Sequence, residues 1–203
     1  MPGKIVVETR ERIGWITFDN PDKRNAMSLA MWQDLAGCIA AAEQNEEIRV
    51  LALTGSGGKA FVSGSDVSSF GAQRNTPEAV ASYNAAVETA LSALASFAKP
   101  SVAIISGYCI GGGVSIAAAC DLRFAEADAS FAVPAGKLGV GYSRHQIERL
   151  QMLVGPSLVR DLIFTARRMD ATEAQARGLL DVVVDKQAFA ERIADRLSAI
   201  SGN

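Results

Sequence analysis

Apolar and polar residues alternate over positions 5–9 and again over 15–18, and Arg10-Glu11-Arg12 lies between the two runs. That pattern predicts two strands joined as a hairpin. Asn20-Pro21-Asp22 ends it. The spacing of apolar residues then lengthens, and Ser28 stands as an N-cap before an amphipathic helix predicted over 29–43. Positions 50–54 form a short apolar strand, followed by the turn Gly55-Ser56-Gly57-Gly58 and a small-residue loop over 61–67. Thr76-Pro77-Glu78 supplies an N-cap, a proline at the first helical position and an early acid. The helix it opens is predicted to reach about Ala98 and to stop before Pro100.

The apolar run over 101–105 reads as a strand, and Gly111-Gly112-Gly113 as the turn and helix start that follow it. Short strands are predicted over 122–124, 130–133 and 182–184. Helices are predicted over 144–153, 157–165, 171–177 (capped by Asp170 and ended at Gly178) and 189–200. Strands alternate with helices throughout, so the class is α/β with largely parallel pairing. No repeat, low-complexity tract or linker divides the chain, and 1–203 reads as a single domain.

Composition narrows the function classes. A net charge of -2 and a pI of about 5.5 point away from a nucleic-acid partner. No apolar stretch reaches the roughly 18–20 residues of a membrane span. Met1-Pro2-Gly3-Lys4 leads into Ile5-Val6-Val7 without a signal-peptide core. Three scattered cysteines suit reduced thiols, so a cytoplasmic protein is expected. One histidine, with no CxxC or HExxH, argues against a metal site. A Ser-His-Asp hydrolase would have to use His145, and no G-x-S-x-G elbow serves it.

The triple glycine carries the chemistry. Glycine lets a ligand approach the backbone, and the N–H groups of a helix start favour negative charge, including charge that exists only during a reaction. No Asp or Glu follows until Asp121. Ser63-Gly64-Ser65-Asp66 also follows an apolar stretch, and in parallel α/β sheets ligands collect beyond the carboxyl ends of strands. The two loops are therefore expected to converge, unless both are simply tight turns.

Five ordered motifs resemble one family: Asn20 to Ser28; Leu53-Thr54-Gly55 with Lys59 to Val67; Lys99 to Ala103 with Gly107 to Gly113; Cys120-Asp121-Leu122-Arg123-Phe124-Ala125; and Gly178-Leu179-Leu180-Asp181. In order and spacing they are similar to the crotonase (enoyl-CoA hydratase/isomerase) superfamily over essentially the whole chain. The resemblance implies the crotonase (ClpP-like) β-β-α superhelix, with two roughly perpendicular sheets wrapped by helices. It also implies C-terminal helices that drive assembly into a homotrimer or dimer of trimers; these are expected to lie outside the 203 residues. It implies acyl-CoA substrates, with coenzyme A as part of the substrate and no separate cofactor.

The resemblance further implies that the backbone N–H groups of Ser65 and Gly112 hold the thioester oxygen as it becomes an enolate. Substrate and coenzyme A contacts fall on Lys23, Arg24, Ala26, Ser63, Gly64, Asp66, Val67, Gly111 and Ala135. Where the hydratases carry two glutamates this chain has Ser115 and Ala135. Ser115 stays a catalytic candidate because it can hydrogen-bond water, but neither it nor Ala135 can act as a general base at neutral pH, so two-glutamate hydration is not expected. Tyr142, Ser143 and His145 put a phenol, a hydroxyl and an imidazole near the expected acyl site. Leu138-Gly139-Val140-Gly141-Tyr142 resembles a segment of the methylmalonyl-CoA decarboxylase branch, whose reaction needs no base to create an enolate. Three readings follow: an enoyl-CoA hydratase/isomerase-like enzyme, a decarboxylase or other enolate chemistry using Tyr142 and His145, and a non-catalytic CoA-binding homologue.

Overall fold

The computed structural model describes residues 2–66 and 76–203; Val67, among the expected substrate contacts, lies outside them. β1 (Lys4–Arg10) and β2 (Ile13–Asp19) form the predicted antiparallel hairpin. Glu11 and Arg12 turn it at positive φ, which matches the twist of the flanking strands. After α1 (Leu29–Gln44) come β3 (Val50–Gly55) and β4 (Ala60–Val62), then α2 (Pro77–Ala95). Next are β5 (Ser101–Ile105), β6 (Tyr108–Ile110) and α3 (Gly112–Ala119). β7 (Leu122–Glu126), β8 (Ser130–Ala132), α4 (Ala135–Leu138), α5 (Arg144–Thr165) and β9 (Arg168–Asp170) follow. The chain continues through α6 (Ala171–Ala176), β10 (Val182–Val184) and α7 (Lys186–Ser201).

The strands divide between two sheets, ordered β1-β2-β3-β5-β7-β10 and β4-β6-β8-β9. Pairing is parallel except at the first hairpin and at β8–β9. β3, β5 and β7 each pass directly to a short strand of the smaller sheet and then toward a helix, which is the repeated β-β-α unit. The central strands of the larger sheet, β3, β5 and β7, are buried on both faces. Leu51, Leu53, Ala103 and Ile105 face a core shared with Phe18, Trp32, Phe61 and Phe131. Val50, Ala52, Val102, Ile104 and Phe124 face a second core closed by Phe189, Ile193 and Leu197 of α7. Burial on both faces explains why these strands read as unbroken apolar runs.

Four expectations are corrected. The small-residue loop expected from Phe61 begins with β4, and β6 intervenes between β5 and the triple glycine. Three residues are too few to display a period of two. α2 ends at Ala95, where the Ser96 N–H turns back to the Ser92 and Leu94 carbonyls, so the helix stops before the proline can stop it. The helices expected over 144–153 and 157–165 form the single element α5, bent where Gly155 takes φ 77° ahead of Pro156.

Arg123 ties β7 to its neighbours. Its guanidinium is buried and donates to the carbonyls of Leu179 (2.8 Å), Cys120 (2.8 Å) and Asp121 (3.1 Å) and to the Asp181 carboxylate (2.8 Å). Arg123→Met is expected to cost about 3 kcal/mol, because it strands the buried Leu179 and Cys120 carbonyls and removes the partner of Asp181. Urea unfolding should show the midpoint falling with an unchanged slope.

Candidate active site

The Ser65 loop is held by the segment that precedes α1. Met27 donates its N–H to the Gly64 carbonyl (2.8 Å), and its own carbonyl accepts from Asp66 N–H (2.9 Å). This is a parallel bridge centred on Ser65. The groups flanking Ser65 make the bonds, so the Ser65 N–H faces the opposite side. The motif upstream is an anchor. Asn25 is fully buried and donates to the carbonyls of Ser56 (2.9 Å) and Ala60 (2.7 Å), while its Oδ1 accepts from Asn20 N–H (3.0 Å). Ser63 N–H donates to the Arg24 carbonyl and Ser63 Oγ to the Lys23 carbonyl. Lys23 Nζ lies 2.7 Å from Asp66 Oδ2, with the carboxylate largely buried and the ammonium half-exposed.

The second loop leaves β6 at Gly111, whose φ 57° and ψ -113° lie where only glycine is comfortable. Gly111 donates to the Ala132 carbonyl (2.9 Å) and its own carbonyl accepts from Ser115 N–H (3.2 Å). Gly112 is the first residue of α3, so its N–H has no intrahelical acceptor. Gly113 packs so closely on β4 that a Cβ there would lie 2.2 Å from the Val62 carbonyl oxygen. The two loops run side by side: a Cβ on Gly111 would lie 3.7 Å from Gly64 Cα. Between them opens a cavity of about 450 Å3. Lys23, Ala26, Ser63, Gly64, Ser65, Asp66, Gly111, Gly112, Ala135 and Tyr142 all line it, so ten of the residues singled out from sequence meet in one place.

The enoyl-CoA hydratase/isomerase family model matches residues 8–202. This chain belongs to the enoyl-CoA hydratase/isomerase family. Over 196 residues it is 31% identical to the short-chain-enoyl-CoA hydratase of Clostridium acetobutylicum, a match covering 95% of this chain and 74% of that one. It is also 31% identical to the mitochondrial Delta(3,5)-Delta(2,4)-dienoyl-CoA isomerase of Mus musculus, over 91% of this chain and 59% of the isomerase. Among solved structures, an enoyl-CoA hydratase/carnithine racemase from Magnetospirillum magneticum superposes with a TM-score of 0.94 at 30% identity. It covers 98% of this chain and 74% of that one. The enoyl-CoA hydratase of Bacillus anthracis gives 0.91 at 28% identity, over 98% and 77% of the two chains. The fold is the crotonase fold.

Within this family frame the remaining candidates separate. Tyr142 reaches the cavity with its hydroxyl buried beside Gly111. Burial pushes the phenol well above its ordinary pKa, against a smaller opposing pull from the Ser115 hydroxyl. Among the described residues no group meets Tyr142 Oη with hydrogen-bond geometry. Ser115 is buried behind the cavity, accepting from Gln146 Nε2 (2.9 Å). His145 does not line it: the imidazole is 73% exposed and sits 2.5 Å from Glu88 Oε1 in a neighbouring cleft that Ser115 and Gln146 also line. Arg24 is outside it too, its guanidinium 5.1 Å above the Tyr108 ring. Arg144 faces water and pairs with Glu148 one turn on.

Several site residues escaped sequence reasoning. Trp32 and Tyr83, from α1 and α2, line the cavity. Gln146 lines it as well and closes a capping box with Ser143, a Ser-x-x-Gln signal that was present in the sequence. Glu88 accepts from Ser143 Oγ (2.9 Å) and pairs with His145, a role that no local pattern in α2 announces. Lys23 and Asp66 are the only Lys, Arg, His, Asp or Glu residues among the described residues lining the cavity. No described group of three or more His, Cys, Asp or Glu is placed to hold a metal ion.

Proposed function

We propose that this protein acts on acyl-CoA thioesters, holding the thioester oxygen between the Ser65 and Gly112 N–H groups as negative charge develops on it. One observation carries this reading: two N–H groups from separate loops border a single cavity, and neither makes a backbone bond within the described residues. Such preorganised donors lower the barrier wherever an enolate forms. Lys23, ion-paired with Asp66 on the cavity wall, and Arg24 beside it in the chain are the cations assigned to the phosphates of coenzyme A. The relatives' names support the thioester class: one is a short-chain-enoyl-CoA hydratase, the other a dienoyl-CoA isomerase.

We further propose that hydration assisted by two carboxylates is not the reaction. No glutamate lines the cavity among the described residues, and Ala135 offers only a methyl group to it. Acid–base assistance typically contributes about 10²–10⁴-fold, and hydration should be slower by that order than with both carboxylates in place. The neutral, buried Tyr142 hydroxyl favours loss of carbon dioxide from a 2-carboxyacyl thioester. The phenol orients the carboxylate, the bond between it and the α carbon breaks, and the electron pair becomes the enolate at the two N–H groups. Carbon dioxide leaves, and the enolate takes a proton from solvent at the α carbon.

Incubation with methylmalonyl-CoA and, separately, with crotonyl-CoA, followed by mass spectrometry, tests both parts. Decarboxylation of the first with little hydration of the second is expected. Fast crotonyl-CoA hydration would overturn the argument from the missing carboxylates. Tight coenzyme A binding with turnover of neither would replace the catalytic reading with a CoA-binding one.

A further inference from the structure

We infer that Trp32 and Tyr83 are positioning residues that set the spacing between the two N–H donors, an inference that rests on the oxyanion-hole reading above. Both side chains are almost completely buried, yet both border the cavity. Trp32 Nε1 donates to Tyr83 Oη (3.1 Å), and Tyr83 Oη donates to the Met27 carbonyl (3.3 Å). The same carbonyl accepts from Asp66 N–H, on the far side of Ser65. Tyr83 therefore fixes the carbonyl on which the Ser65 loop hangs. The other end of Trp32 fixes the second donor: its Cζ2 would lie 3.0 Å from a Cβ on Gly112, so the indole edge packs directly on the first turn of α3.

One indole thus spans the gap. Its N–H acts through Tyr83 and Met27 on the Ser65 loop, and its ring edge abuts the Gly112 backbone. The loops leave β4 and β6 as separate connections, and the hydrogen bonds of Met27 set the register of the Ser65 loop without setting its distance from α3. Two donors serve one oxygen only if both are held to within about half an ångström of the productive position. A large rigid ring with a single donor, anchored in α1, can do that.

The test uses two substitutions that keep the aromatic volume. Tyr83→Phe deletes the hydroxyl between Trp32 and Met27. Trp32→Phe deletes the indole donor while leaving a ring beneath Gly112. The probe is 2,4-hexadienoyl-CoA, a conjugated thioester whose absorption moves to the red when its carbonyl oxygen is hydrogen-bonded. The wild type is expected to shift the bound probe, and each variant to shift it less. Turnover should fall about 10-fold, as for a donor loosened rather than deleted, while the affinity for free coenzyme A changes less than about twofold, because the loosened donors act on a thioester oxygen that free coenzyme A lacks. Near-ultraviolet circular dichroism establishes that each variant is folded. Full-sized shifts and unchanged turnover in both folded variants would overturn the positioning role and leave the oxyanion hole standing. The absence of any shift with the wild type would overturn the oxyanion hole itself, and the positioning role with it.

Discussion

Gly113→Ala is expected to lower the midpoint of thermal unfolding by roughly 6–12 °C, corresponding to about 3 kcal/mol at 2–4 °C per kcal/mol for a chain of this size. The added methyl would stand 2.2 Å from the Val62 carbonyl oxygen and 3.1 Å from the Val62 carbonyl carbon. That neighbour is backbone of β4, held by pairing to β6, so no side-chain rotation relieves the clash. Either α3 lifts from the small sheet or β4 is pushed aside. Both carry a loop of the proposed oxyanion hole, so activity should fall alongside stability. Gly37→Ala is the matched control. A Cβ there meets nothing within 4 Å on the exposed face of α1, and stabilisation by about 0.5–1 kcal/mol is expected. Differential scanning calorimetry of both variants checks the sign as well as the size. Equal midpoints would mean that the close approach of α3 to β4 is not a constraint.

Gly112→Pro should reduce kcat by about 10²–10³ relative to Gly112→Ala, the usual consequence of deleting one oxyanion-hole donor. The pair matches the Cβ and differs in the N–H and in the proline ring that replaces its hydrogen. Alanine and proline both place a Cβ 3.0 Å from Trp32 Cζ2, so both disturb that contact. Only proline removes the hydrogen, and it does so at the first helical position, where proline is well tolerated because that N–H has no intrahelical acceptor. The comparison is made on the thioester that the wild type turns over, with coenzyme A affinity measured for each variant. Equal kcat values for two folded variants would remove Gly112 from the proposed mechanism. Loss of coenzyme A affinity by proline alone would place the effect on binding.

How far the site could be read before any coordinates follows from what each residue does. Gly64, Gly111 and Gly113 were legible because their roles are backbone roles, and glycine is the residue type that a positive φ or a Cβ-free approach requires. Ser65, Asp66 and Tyr142 came from motif resemblance, and all three border the cavity. Trp32 and Tyr83 were passed over because each sits on an amphipathic helix at a position any core residue could occupy. Their hydrogen bond joins residues 51 positions apart, which no local pattern encodes. His145 shows the converse. Its chemistry recommended it and its sequence neighbourhood placed it near the acyl site, but it lies near the start of α5 and turns to Glu88 and solvent.

The sequence by itself determined the α/β class, the alternation of strands and helices, the caps at Ser28, Thr76 and Asp170, and the family. These are written in short-range spacing: hydrophobic period, N-cap chemistry, and motifs in a fixed order. Only the tertiary structure decided that the strands divide between two sheets, because three-residue strands such as β4 and β6 carry too little period to be seen alone. It decided likewise that Met27 bridges to Ser65, leaving the Ser65 N–H on the side away from that bridge, and that one Trp32 side chain reaches both Tyr83 and the edge of Gly112. Those arrangements depend on distances between segments far apart in the chain, and such distances exist only once the cores on both faces of the large sheet have closed.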